Sequence, residues 1–244
     1  MTLLSRLSRW PGALLGALLP SSCVLCGATG DEPVCAACSL AYAGDAHARC
    51  PCCANPVGAS DAGRRCGACV ADPPAYDATL AACDYAVPVD QLVLQLKFSA
   101  RLALAPWMAR RLHAAALARQ GLVLPDVLCP VPLGPRRLAE RGYNQALEVA
   151  RPLAASLGVM LAPRLVERLV ETRAQSGVAP NERLRNVRGA FAVAQGQAAL
   201  LGRHVGVVDD VMTSGHTLDE LAGVLKRAGA ARVTNFVFAR TPPH

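Results

Sequence analysis

Val205-Gly206-Val207-Val208-Asp209-Asp210-Val211-Met212-Thr213-Ser214-Gly215-His216-Thr217 joins a short, β-branched apolar run to two carboxylates and then to hydroxyls around a glycine. A continuous apolar run of this kind is the pattern of a strand buried on both faces of a parallel sheet. Beyond it Leu218, Leu221, Val224 and Leu225 recur at helical spacing, so the hydroxyl loop ends at a helix N-terminus. Unsatisfied N–H groups and the positive end of the helix dipole make that place favourable for an anion. Thr213, Ser214 and Thr217 add hydroxyl donors, and Gly215 lets the backbone approach a phosphate closely. Asp209 and Asp210 repel a phosphate but can accept from the vicinal hydroxyls of a ribose. The stretch therefore predicts a ligand with a sugar diol at one end and a phosphate at the other. The plainer alternative is an Asp-Asp pair that only caps a strand-to-helix turn in another α/β fold.

The series of apolar residues, acidic pair and Thr/Ser-Gly-x-Thr loop resembles the phosphoribosyl-pyrophosphate (PRPP) signature of type I phosphoribosyltransferases. That resemblance implies an α/β fold, a parallel sheet flanked by helices. It also implies a PRPP site over Asp209, Asp210, Val211, Met212, Thr213, Ser214, Gly215, His216 and Thr217, with the acid pair as the catalytic residues. His216 stands where that family often has a small residue.

The chain has 244 residues, enough for one ordinary domain and a small appendage. It is 52 % hydrophobic and 18 % charged, which excludes a disordered chain. Net charge is +7, and all of it falls in residues 73–244, because residues 1–72 hold five arginines against five acids. Arginine, the dominant cation, suits bidentate phosphate contacts. Arg6 and Arg9 precede an apolar run broken by Pro11 and Gly12. That run is too short for a membrane span, which needs about 20 apolar residues. Residues 1–22 are expected to form an amphipathic N-terminal helix packed on the protein, with no membrane insertion.

Eight of the eleven cysteines form four C-x-x-C pairs: Cys23/Cys26, Cys35/Cys38, Cys50/Cys53 and Cys66/Cys69. Each pair aims two thiolates at one point, and two pairs complete a tetrahedral zinc site. Sequential pairing gives two sites, Cys23, Cys26, Cys35 and Cys38, then Cys50, Cys53, Cys66 and Cys69; an interleaved pairing stays open. Four thiolates leave no open coordination position, so both zincs are expected to be structural. Cys52, inside the third pair, is a competing ligand candidate. Thiolate zinc favours a reducing compartment and predicts a cytoplasmic protein. Residues 23–72 hold three arginines against five acids and contain one aromatic residue, Tyr42. They therefore lack the residues of an independent DNA clamp, and docking onto the next domain or a partner is the expected role.

Ala71-Asp72-Pro73-Pro74-Ala75 marks the expected boundary of a domain over residues 73–244. A strand is expected over residues 79–85, helices over residues 89–98 and to about Leu117, and a strand over residues 126–132. A proline-rich turn with Arg136, Arg137 and Arg141 follows, then a helix to about Leu157. Ligands of parallel sheets bind beyond the carboxyl ends of the strands. The Arg137/Arg141 loop should therefore face the cleft of the Asp209–Thr217 loop and hold a pyrophosphate, unless it is a solvated basic turn. Lys97 is a further candidate for a phosphate or substrate contact. A strand is expected over residues 165–170 and another over residues 232–239. Between residues 171 and 188 a polar segment with Arg173, Arg183 and Arg185 predicts a lid over an anionic ligand.

Four C-x-x-C pairs followed by Leu96-Lys97-Phe98, Pro130-Val131-Pro132-Leu133, Arg141-Gly142-Tyr143-Asn144-Gln145, Arg185-Asn186-Val187-Arg188-Gly189-Ala190-Phe191 and Val208-Asp209-Asp210 resemble the ComF family. The resemblance spans nearly the whole chain. It implies a type I phosphoribosyltransferase domain behind a double zinc ribbon, in a cytoplasmic protein of DNA uptake and natural transformation. An enzyme is the first expectation: a phosphoribosyltransferase using Mg²⁺ with PRPP, whose acceptor no residue identifies. The second is a PRPP-sensing or single-stranded-DNA-binding protein working with a competence helicase. A third makes the ribbons the functional part, which their lack of net positive charge disfavours.

Overall fold

A computed structural model describes residues 21–44, 47–170, 189–194 and 200–242. Most of the expected N-terminal helix and the whole expected lid, with Arg173, Arg183 and Arg185, lie outside the described residues. Ser21 and Ser22, at the end of that helical segment, are instead a strand, β1 (Ser21–Ser22), antiparallel to β2 (Thr29–Gly30). The ribbons add two short helices, α1 (Ala36–Tyr42) and α2 (Gly67–Ala71), each beginning just after the first cysteine of a C-x-x-C pair.

The rest of the chain alternates strand and helix: β3 (Ala78–Asp84), α3 (Val89–Phe98), α4 (Leu104–Ala118), β4 (Val127–Pro130), α5 (Pro135–Arg141), α6 (Gln145–Leu157) and β5 (Met160–Leu161). A hairpin of β6 (Val166–Arg168) and β7 (Phe191–Val193) follows, then β8 (His204–Met212), α7 (His216–Arg227) and β9 (Arg232–Arg240). Five strands form one parallel sheet in the order β3-β9-β8-β4-β5. The strand expected over residues 165–170 is shorter and pairs antiparallel with β7, outside this sheet. The turn expected at Arg136 and Arg137 is the helix α5, with Pro135 in its first turn and Gly142 as a left-handed cap.

The apolar run sits at the centre of the sheet, as its composition requires. Alternation along β8 sends Val205 and Val207 to one face and Val208 to the other. On the Val208 face Leu92, Leu96, Met108, Leu112 and Leu153 of α3, α4 and α6 cover Phe236 and Phe238. On the opposite face Leu218, Leu221 and Leu225 of α7 pack with Val233 and Val237, beside Phe191 of the hairpin. Gly206 answers a steric demand: a Cβ there would lie 2.3 Å from Leu128 Cδ2 and 2.8 Å from Pro125 Cγ.

Both ribbons dock on this body, on different faces. The first packs against α4, where Arg110 pairs with Glu32 and Arg111 donates to the Ala43 carbonyl at 2.8 Å. Its Cys23, Val34 and Cys38 belong to the core layer of α3 and α4. The second lies along β3. Thr79 N–H donates to the Pro51 carbonyl at 3.2 Å, and Arg119 donates to the carbonyls of Thr79 and Pro51 at 2.8 and 3.1 Å. Its Cys50, Cys52, Cys53 and Cys69 share the core layer of α7.

Candidate functional site

β8 runs four residues beyond the apolar run, so Asp209 and Asp210 are its own residues and project near its carboxyl end. Asp210 is 3 % exposed, and an Oδ2 atom of its carboxylate lies 2.6 Å from Lys97 Nζ. That lysine comes from the last turn of α3, on the same side of the sheet as Val208, two residues before Asp210. Asp209 is half-buried, and its Oδ1 accepts from the Asp210 N–H at 2.9 Å. Burial, then the neighbouring Asp210 carboxylate, pushes the Asp209 carboxyl well above the usual carboxylate range.

The loop that follows turns at Gly215, which has φ +89° and caps α7. A Cβ there would meet Met212 Cε at 2.7 Å and the Tyr76 hydroxyl at 3.2 Å, so glycine is required twice over. Thr213 and Ser214 are exposed, and His216 and Thr217 begin α7 half-buried. Met212, 2 % exposed, is a core side chain, so only its backbone is left for a ligand, and Val211 is half-buried. The hydroxyls, the glycine and the start of a twelve-residue helix thus stand in series behind the acid pair.

Lys97 is shared with a cavity of about 510 Å³ that Phe98, Leu133, Arg137, Arg141 and Tyr143 help to line. Arg137 and Arg141 share this cavity with Lys97, while none of Asp209 to Thr217 lines it. Arg141 donates to Gln145 Oε1 and lies over the Phe98 ring, 5.5 Å from its centroid. Asn144, which caps α6 by accepting from Ala146 and Leu147, donates to the Val131 carbonyl at 3.0 Å and anchors this wall.

The cysteines form two groups, Cys23, Cys26, Cys35 and Cys38, and Cys50, Cys53, Cys66 and Cys69, with ligand atoms within 4.8 Å of one another. Pairing is sequential, and Cys52 belongs to neither group. A tetrahedral zinc with bonds of about 2.3 Å sets sulfurs about 3.8 Å apart. The Cys26–Cys35 and Cys53–Cys66 sulfurs lie 3.7 and 3.6 Å apart. Backbone N–H groups of Cys35 and Cys66 point at the sulfurs of Cys23 and Cys50, at 3.4 and 3.3 Å. Burial raises the Cys23 thiol, but N–H groups led by that of Cys35 outweigh it and bring the thiol down to about 6. Burial and its neighbouring thiols push Cys38 up to about 12. Four clustered thiols do not all ionise without a cation, and a divalent one fits this donor set.

Two residues important to the site carry no sequence signal. Arg240, 5 % exposed at the end of β9, donates from Nη1 to the carbonyls of Met212 at 3.0 Å, Thr241 at 2.7 Å and Thr213. Its Nε donates to the Cys53 carbonyl at 2.9 Å. Tyr76, 5 % exposed, packs with the second cysteine group behind Gly215. Only contacts far along the chain give these two residues meaning.

A family model described as double zinc ribbon domain matches residues 14–70. The DNA utilization protein YhgH of Escherichia coli (strain K12) is 37 % identical over 229 residues, 91 % of this chain and 98 % of that one. Competence protein F of Haemophilus influenzae is 31 % identical over 180 residues, 72 % of this chain and 79 % of that one. Among solved structures, a glutamine PRPP amidotransferase from B. subtilis has a TM-score of 0.34 at 22 % identity, over 56 % of this chain. The chain spans about a quarter of that structure's length. A purine phosphoribosyltransferase from Pyrococcus horikoshii has a TM-score of 0.30 at 19 % identity, over 54 % of this chain and 67 % of that one.

The fold and its cysteine groups define a double zinc ribbon protein built on a parallel α/β sheet. This chain belongs to the ComF family, with the YhgH proteins and competence protein F. Among the described residues no helix is long and apolar enough to cross a membrane.

Proposed function

We propose that this protein binds PRPP at the carboxyl end of β8 and acts, in the cytoplasm, in the use of DNA taken up by the cell, with phosphoribosyl transfer as its chemistry. One observation carries the proposal: acid pair, hydroxyl loop and the start of α7 follow one another on the central strand. Asp209 and Asp210 would accept from the ribose hydroxyls, and Thr213 to Thr217 would surround the 5-phosphate. Arg137 and Arg141 would face the pyrophosphate, with Arg173, Arg183 and Arg185 over it. In transfer, the bond from ribose C1 to pyrophosphate breaks, its electron pair leaving with the pyrophosphate while the acceptor's lone pair forms the new bond at C1. Positive charge grows at the ribose ring, as in glycoside cleavage, beside the acid pair. Mg²⁺ brought by PRPP would supply charge neutralisation of the leaving group.

The test is pyrophosphate release from PRPP with Mg²⁺ by the wild type and by Asp209→Asn/Asp210→Asn, across bases, amines and single-stranded DNA. Release that needs one acceptor and vanishes in the double variant supports transfer. Absence of both release and PRPP binding in the wild type would overturn the proposal.

A second reading drops the transfer and keeps a PRPP-responsive protein that binds single-stranded DNA, working with a helicase. Phe98 favours it. It is 74 % exposed and helps to line the cavity, with Arg141 over its ring. Exposed aromatic rings beside cations are what single strands stack on. PRPP binding without release, together with salt-sensitive DNA binding, is the outcome that selects this reading.

A further inference from the structure

The geometry points to a coupling between the second cysteine group and the loop after β8: zinc at Cys50, Cys53, Cys66 and Cys69 holds that loop in its anion-binding shape through Arg240 and Tyr76. The loop's ligand rests on the function proposed above; the mechanical link does not.

Arg240 is the connecting piece. Its guanidinium is buried and donates to four main-chain carbonyls. A guanidinium is a rigid planar fork, so fixing one arm fixes the directions of the others. The Nε arm is fixed on Cys53, a residue whose own sulfur belongs to the metal group. The Nη1 arm reaches Met212 and Thr213, the last carbonyl of β8 and the first of the loop. A trans peptide is planar, with C=O and N–H on opposite sides. Turning the Met212 and Thr213 carbonyls toward Arg240 therefore turns the Thr213 and Ser214 N–H groups away from it. Those are two of the donors an anion at the start of α7 needs.

Tyr76 is a second, independent contact. It packs among Cys50, Cys52, Cys53 and Cys69 in the core and presents its hydroxyl to Gly215, the residue that turns the loop. Cys52, buried and outside the metal group, belongs to the same layer. The first cysteine group takes part in neither contact. Its Cys23 and Cys38 lie in the opposite layer, against α4, and so provide an internal control.

Coupling between two sites is reciprocal. Zinc at the second site should raise affinity for a phosphorylated ribose, and the ligand should raise zinc affinity at that site by the same factor. Couplings of this kind run from about five- to about 150-fold.

The experiment uses the full chain with both zincs bound. Chelator-driven release is followed while freed cysteines are alkylated, and peptides covering residues 23–38 and 50–69 are counted by mass spectrometry. Ribose 5-phosphate at saturation should slow alkylation of the second group and leave the first unchanged. Without any ligand, hydrogen exchange of residues 212–217 should quicken when the second zinc is stripped and in Arg240→Met. Arg240→Lys should lie between Met and wild type. Cys26→Ser, which empties the first site, should leave that exchange unchanged. Loop exchange indifferent to the second zinc and to Arg240 would overturn the coupling. So would equal quickening on loss of either zinc, since that reports general loosening. If ribose 5-phosphate fails to bind while the exchange effects appear, the coupling stands and the ligand assignment falls.

Discussion

Lys97 Nζ lies 2.6 Å from Asp210 Oδ2, joining the last turn of α3 to the acidic end of the central strand. The aspartate side chain is 4 % exposed and the lysine 23 %, so the pair is screened from most of the solvent. Removing the lysine leaves a carboxylate in a place where it lacks its counter-charge.

Lys97→Met should therefore destabilise the fold by about 1–3 kcal/mol, the usual cost of orphaning a buried polar group. Adding Asp210→Asn should recover part of that loss, because the charge that lacked a partner is gone. Urea unfolding of the two single variants and the double variant measures the interaction. Strict additivity would mean the pair contributes nothing.

Asp209 shows the opposite bias, since the folded state favours its protonated form. Its contribution to stability is complete below the ordinary carboxylate range and is lost as pH rises through the elevated folded value. Asp209→Asn, uncharged at every pH, should match the wild type in acid and melt higher than it at neutral pH. A residue kept for binding at the expense of stability behaves this way. Melting curves between pH 4 and 8 decide it; a difference that does not change with pH would refute the assignment.

Gly206 is placed against Leu128, Pro125 and Phe236. Gly206→Ala should cost about 1–3 kcal/mol by overpacking the middle of the sheet, and it should do so without changing the zinc content. Unfolding midpoint and metal analysis on the same sample test both halves of that statement.

Phe98→Ala removes a ring that the core does not use. Its effect on unfolding should stay within about 0.5 kcal/mol. If single-stranded DNA stacks there, affinity should fall by about 1–3 kcal/mol, the usual contribution of one stacked base. Unchanged DNA affinity across salt concentrations would remove Phe98 from any nucleic-acid surface.

What the sequence disclosed, and what it withheld, follows from the range of the forces involved. The strand around Val205–Val208 was legible because a strand buried on both faces has no polar alternation to confuse it. The cysteine groups were legible because C-x-x-C spacing is itself the geometry, although sequential pairing needed the fold. Helix α5 escaped because none of its residues is buried, so no apolar period marks it. The strand near residue 166 was visible, but its departure from the main sheet was not, since partnership is settled by residues far away. Arg240 shows the limit most plainly. It reads as the polar end of a strand, and its contact with Cys53 spans 187 positions.

Strand β9 lies between β3 and β8, yet it follows both in the chain and is the last of the described strands. During synthesis, then, β3 and the second ribbon docked on it have no strand to join them to β8 until residues 232–240 emerge. The nascent protein would be two fragments of one sheet, each with an open edge of the kind that invites aggregation. A stop codon just before residue 232 would thus remove the seam of the molecule, and chaperones rather than partners would be the first to meet the product.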